Sequence, residues 1–139
     1  MAEQITLEVV TPERRVLAET VDAVYLPSMS GELGILPGHT PLISQLQTGV
    51  LSYTKGGATT RLHVSGGFVE VNEDRVSVLA EVAEHPEEID AARARLARDE
   101  AEKTLSAWSG SEEDFEVERA RLERSLARLQ LASPSSSDR

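Results

Sequence analysis

The chain contains no cysteine. Disulfides, thiol redox chemistry and cysteine-ligated zinc are therefore excluded. Basic residues are scarce. Fourteen Lys and Arg stand against 24 Asp and Glu, a formal net charge of −10. Nucleic-acid binding and adsorption to anionic lipid both need a basic surface, so both are disfavoured. Long apolar runs are missing too, and no stretch approaches the roughly 18 residues of a membrane span. The start, Met1-Ala2-Glu3-Gln4, lacks the basic residues and apolar run of a signal peptide. There is no phosphate loop, no G-x-G-x-x-G turn and no H-E-x-x-H pair. His39, His63 and His85 show no metal-ligand spacing. His63-Val64-Ser65-Gly66-Gly67 lacks the leading glycine of a nucleophile elbow. What is left is a cytoplasmic, globular chain of 139 residues, enough for one domain or one domain with an appendage.

A change of composition divides it. Residues 1–85 hold eight of the nine glycines and four of the six prolines. Short period-2 runs recur there: Ile5, Leu7 and Val9; then Val21, Ala23 and Tyr25, alternating with Asp22 and Val24. Lys55-Gly56-Gly57 predicts a tight hairpin from Val50 to Val64. Asn72-Glu73-Asp74 predicts another, between Phe68-Val69-Glu70-Val71 and Arg75-Val76-Ser77-Val78-Leu79. Short strands with regular turn punctuation point to a sandwich or barrel.

Residues 86–131 are dominated by Ala, Leu, Glu and Arg, all strong helix formers. Pro86 suits a first helical turn, with Glu87, Glu88 and Asp90 near the positive end of the helix dipole. Ala94, Ala97, Ala101, Leu105 and Trp108 form one stripe, and Gly110 suits a C-terminal cap. Ser111 with Asp114 restarts a helix, whose stripe is Phe115, Leu122, Leu126 and Leu129. The short turn makes the pair an antiparallel hairpin. It holds few large apolar residues, so it needs a docking surface on the β domain, on a partner, or on each at different times. Residues 132–139 have little to bury and are expected to be disordered.

Two features carry chemistry. Arg121, Arg124 and Arg128 follow at steps of three and four, where like charges repel unless countered. Folding the hairpin about a point between Gly110 and Ser111 sets Asp90 and Arg93 across from Arg124 and Arg128, and Glu84 lies just before the first helix. Converging guanidinium groups suit a polyphosphate, and a carboxylate suits a hydroxyl or amine. The alternative is a surface ion-pair ladder with Glu88, Asp90, Glu118 and Glu123. The second feature is the loop from Ser28 to Leu42, in which three glycines and two prolines specify a backbone path. Leu33, Ile35 and Leu36 anchor it, and Glu32 and His39 stand at its surface.

Ser30-Gly31-Glu32-Leu33-Gly34-Ile35-Leu36-Pro37-Gly38-His39-Thr40-Pro41-Leu42 closely resembles a segment of the epsilon subunits of bacterial F-type ATP synthases. Val64-Ser65-Gly66-Gly67-Phe68-Val69-Glu70-Val71, Val78-Leu79-Ala80-Glu81 and Ile89-Asp90-Ala91-Ala92-Arg93-Ala94 follow in that family's order, so the resemblance spans nearly the whole chain. It implies an α+β fold: a flattened antiparallel β-sandwich of about ten strands, then an antiparallel two-helix hairpin. It implies a non-catalytic rotor subunit of the central stalk. The β domain would bind the gamma subunit and the c-ring, with Glu32 and His39 in the c-ring loop. The hairpin would fold down on the β domain or extend along gamma into the catalytic alpha/beta head, where it restrains ATP hydrolysis. The complex would sit at the cytoplasmic face of the bacterial cell membrane, with this chain peripheral to it. No cofactor is required, but in some bacterial members the folded hairpin binds a regulatory ATP. By that resemblance Glu84, Asp90, Arg93, Arg124 and Arg128 are its ligands. One departure is Glu100, where ATP-binding members carry an arginine. Two other readings stay open on the residues alone: an adaptor that binds partners without a rotary role, and a small enzyme using Glu32 and His39 as acid and base.

Overall fold

The computed structural model describes residues 3–132. Two compact units divide between His85 and Pro86.

The first unit is all β. Its strands are β1 (Ile5–Val10), β2 (Arg15–Val21), β3 (Ala23–Ser28), β4 (Gly31–Ile35), β5 (Leu42–Gln45), β6 (Gly49–Lys55), β7 (Ala58–Asn72) and β8 (Arg75–Glu84). There are thus eight strands in the described residues, where the resemblance implies about ten. They hydrogen-bond in the order β2-β1-β8-β7-β6-β3-β4, with β5 joined to β7. The pairing is antiparallel throughout the described residues except at one place, where β1 and β8 run in parallel, Thr6 opposite Arg75 through Val10 opposite Leu79.

β7 explains how one sheet makes two layers. Its first half pairs with β6, Val64 opposite Gly49 through Ala58 opposite Lys55. Its second half pairs with β5, Phe68 opposite Gln45 through Val71 opposite Leu42. β8 pairs with it across the change of partner, His63 opposite Glu84 through Asn72 opposite Arg75. Gly66 and Gly67, at φ +72° and +96°, bend β7 where the partner changes. These are left-handed backbone conformations that glycine adopts without steric cost.

The two predicted hairpins form. Gly56 and Gly57, both at positive φ, make the two-residue turn between β6 and β7. Glu73 and Asp74 make the turn between β7 and β8 at φ 49° and 57°, although neither is glycine. Such residues cost on the order of 1–2 kcal/mol each in that region. Asp74 offsets this with a carbonyl that accepts from the Thr6 amide and a carboxylate that accepts from the Gly38 amide at 2.8 Å.

The core comes from inward positions of both layers. Ile5, Leu7 and Val9 of β1, Val69 and Val71 of β7, and Val76 and Val78 of β8 are buried, as alternation requires. Leu51 and Leu62 oppose one another across β6 and β7 and are fully buried. Each such leucine contributes roughly 1.5–3 kcal/mol by leaving water. The alternation of Val21, Ala23 and Tyr25 fails. Val24 is buried and Tyr25 is exposed. Asp22 sits between β2 and β3, giving its amide to the Thr54 carbonyl and accepting from the Gly56 amide. The chain changes sheet partners there, and the inward parity shifts by one.

The second unit begins with a short 3-10 turn, Pro86–Glu88, and not with the α-helix expected at Pro86. Helix α1 (Ala91–Ser106) starts later because Asp90 caps it, its carboxylate accepting from the Arg93 amide at 3.1 Å. α1 ends at a C-cap on Ala107, so Gly110 is not its capping glycine. Helix α2 (Glu112–Ala132) starts as expected, with Ser111 Oγ accepting from the Asp114 amide at 3.1 Å. Ala94 and Ala101 are the buried residues of α1, and Ser125, Ala127 and Leu131 those of α2. Leu126, expected on the inner stripe, is exposed. Alanine and serine let the helix backbones approach closely, and Leu126 falls one step round from that seam. Ala132, expected in a disordered tail, is the last residue of α2. The rest of that expectation, residues 133–139, lies outside the described residues.

Candidate functional site

The five residues of the proposed anion site divide between the two units. Glu84 ends β8 and is engaged within the β unit. Its Oε1 lies 2.9 Å from Nδ1 of His63, whose side chain is fully buried. His63 is opposite Glu84 in the β7–β8 register, which is why the two meet. Neither metal spacing nor the nucleophile-elbow pattern singles out His63. Cross-strand pairing was the signal that could have found it. Nε2 of His63 is buried with no hydrogen-bond partner among the described residues.

On the second unit Asp90 is committed to capping α1. Arg93 is exposed, and Arg124 and Arg128 on α2 are half-buried. The fold-back register is supported by a different pair. Arg121 Nη2 reaches Glu100 Oε1 at 2.9 Å across the hairpin, and those two residues are equally far from the point between Gly110 and Ser111. Arg121 also approaches Glu118 at 3.6 Å. Glu100 thus countercharges Arg121 on the neighbouring helix.

An ion-pair ladder exists, and its main member lies outside the Arg121, Arg124 and Arg128 series. Arg119 bonds Glu116 at 2.6 Å and Glu123 at 2.7 Å along α2. The hydrogen bonds it donates to Glu116 and then the charge of Glu123 raise its already high pKa. Arg93 and Arg124 make no ion pair among the described residues.

In the β unit Glu32 lies on strand β4, not in a loop, opposite Pro27 of β3. It is exposed. His39 lies in the turn after β4. Its amide bonds the Leu36 carbonyl at 3.1 Å, and its Nδ1 donates to the Thr40 carbonyl at 2.7 Å. His39 is thereby a fastener of its own turn. The open groove lined by Pro41, Leu42, Ile43, Glu70, Val71 and Asn72 includes neither Glu32 nor His39. The acid-base enzyme reading gains no support from that groove.

The outer face of the β unit carries an apolar feature outside the candidate residues of the sequence motifs. Phe68 and Leu79 oppose each other across β7 and β8 and are 54% and 55% exposed. Ile43 on neighbouring β5, opposite Glu70, is 72% exposed. Parity was the available signal. With Val69, Val71, Val76 and Val78 inward, Phe68 and Leu79 must point out. Glu70 and Glu81, also exposed, flank the patch.

Residues 4–86 match the family model described as the ATP synthase delta/epsilon chain, beta-sandwich domain, and residues 87–133 that of its long alpha-helix domain. The chain belongs to the ATP synthase delta/epsilon family. It is 45% identical over 132 residues to the ATP synthase epsilon chain 2 of Syntrophotalea carbinolica, covering 95% of this chain and 96% of the relative. It is 43% identical over 135 residues to the ATP synthase epsilon chain of Geotalea daltonii, covering 97% and 98%. Among solved structures it is similar to a chain in the Euglena gracilis mitochondrial ATP synthase (OSCP/F1/c-ring), with TM-score 0.77, 29% identity, and 96% and 81% of the two chains covered. A chain of the Tetrahymena thermophila mitochondrial ATP synthase central stalk/c-ring shares the fold, with TM-score 0.62, 13% identity, and 97% and 98% of the two chains covered. Membership makes this an epsilon-type subunit of the central stalk, non-catalytic in itself, serving ATP synthesis and proton transport. Among the described residues no helix is long and apolar enough to cross a membrane.

Proposed function

We propose that this subunit couples gamma to the c-ring at the cytoplasmic face of the bacterial membrane, and restrains ATP hydrolysis when its hairpin extends towards the catalytic alpha/beta head. The observation that carries the partner contact is the outward patch of Phe68, Leu79 and Ile43. Apolar side chains in register on a solvated sheet face, rimmed by acids, suit an apolar partner surface with basic edges. We assign the patch to gamma. Glu32 and His39 keep the c-ring role that the resemblance implies, and Met29 and Leu36 are exposed in the same region of the sequence.

The test is capture of gamma and the c-ring by the full chain. Phe68→Glu combined with Leu79→Glu is expected to weaken capture of gamma at least tenfold. The melting temperature should stay within a few degrees, since neither side chain is in the core. Undiminished capture by a folded double variant would remove the assignment.

A regulatory ATP on the hairpin is a second reading. It is supported by Arg93 and Arg124 staying outside the ion-pair ladder of a chain with net charge −10. Against it, Glu100 places a carboxylate on the same hairpin. The affinity expected is accordingly weak, with half-saturation in the millimolar range, about −4 kcal/mol. Isothermal titration of the full chain checks it. Arg124→Ala should lower the affinity severalfold, and no saturable binding at millimolar ATP would end the idea.

A further inference from the structure

The turn between α1 and α2 is closed in an unusual way. α1 stops at Ala107, at φ −119° and ψ 36°, without the left-handed glycine that commonly ends a helix. Trp108 then stands edge-on to Phe115 of α2, ring centroids 5.7 Å apart and planes at 80°. Gly110 lies between them in sequence and its φ is not in the left-handed region, so its role is not backbone freedom. A Cβ at position 110 would come within 2.7 Å of Cζ2 and 3.2 Å of Cε2 of Trp108. Glycine is there to leave room for the indole.

Leu131 aside, the buried residues of the two helices are small. They are Ala94, Ala101, Ser125, Ala127 and Leu131. The cross-hairpin pair Arg121–Glu100 is largely exposed and correspondingly weak. An edge-to-face aromatic pair exceeds such a surface ion pair in strength, and this one joins the last residues after α1 to the first turn of α2.

We propose that Trp108, Gly110 and Phe115 form an aromatic clasp that holds the two helices folded back, and that its opening accompanies the extended, inhibiting state. The proposal rests on the reading of the hairpin as an inhibitor of hydrolysis. The clasp biases that equilibrium toward the non-inhibiting side. An aromatic pair of this geometry shifts a two-state balance roughly two- to tenfold.

Trp108 is the only tryptophan, so its emission reports the clasp directly. In the full-length chain, Phe115→Ala and Gly110→Ala should each shift the emission to the red. Each should also speed amide exchange in the first turns of α2 by about the same two- to tenfold. Phe115→Tyr keeps the ring edge and should behave as the parent. In the assembled ATP synthase, Phe115→Ala and Gly110→Ala should deepen the inhibition of ATP hydrolysis. Unchanged emission and exchange in both variants would overturn the clasp. If deleting residues 87–139 relieves inhibition while neither variant alters it, the regulatory role is overturned. If that deletion itself leaves hydrolysis unchanged, the inhibitory reading has failed, and with it the role given to the clasp.

Discussion

Gly67→Ala is expected to lower the unfolding free energy of the β unit by about 3 kcal/mol or more, enough to abolish a folded β unit in many such domains. Two effects add. Gly67 has φ +96°, which an L side chain adopts only under strain. A Cβ built there would also drive into the Leu79 carbonyl, with the Ala80 Cα at 3.0 Å behind it. The obstacle is backbone of the paired strand and cannot swing aside. Gly57→Ala separates the two effects. It has φ +84° but nothing within 4 Å of its Cβ position, so it should cost only about 1 kcal/mol. Urea denaturation followed by circular dichroism measures both. Equal losses would mean that the β7 bend tolerates a side chain and that the close approach of β8 is not rigid.

Deletion of residues 87–139 is expected to leave the β unit folded and to raise ATP hydrolysis by the assembled complex severalfold. The core residues all lie between Ile5 and Ala83, so the deletion removes none of them. The gain in rate depends on how much of the complex is held in the inhibiting state. A preference of about 1.4 kcal/mol for that state corresponds to ten to one, and removing the hairpin then raises hydrolysis about tenfold. Steady-state hydrolysis by the reconstituted complex, compared with and without the deletion, gives the number. A rate unchanged within error would show that the helices do not restrain hydrolysis.

Much of this was legible in the residues. Glycine pairs with flanking alternation located the β6–β7 hairpin because only such turns match strand twist at two residues. Ser111 located the start of α2 because its hydroxyl can reach the Asp114 amide. Other features were hidden for physical reasons. The parity shift at Asp22 depends on hydrogen bonds to Thr54 and Gly56, more than 30 residues away. Asp90, not Pro86, sets the start of α1, since a capped residue outcompetes a proline that only tolerates the first turn. Gly110 looked like a cap and is a space for an indole, a distinction that needs the Trp108 side chain in place. Among the candidate site residues, Glu32 and His39 could be found by motif. His63 emerges only when β7 and β8 are set in register with Glu84.

The course of β7 and β8 has a mechanical corollary. In many sandwiches the two layers touch only through side chains and can slide over one another under shear. Here a single 15-residue strand passes from one layer to the other, with a second strand paired to it from His63 to Asn72, on both sides of the bend. A twisting load applied to one layer is therefore carried into the other by peptide bonds and by a ladder that resumes on both sides of the bend. Such a body turns as a whole before it yields.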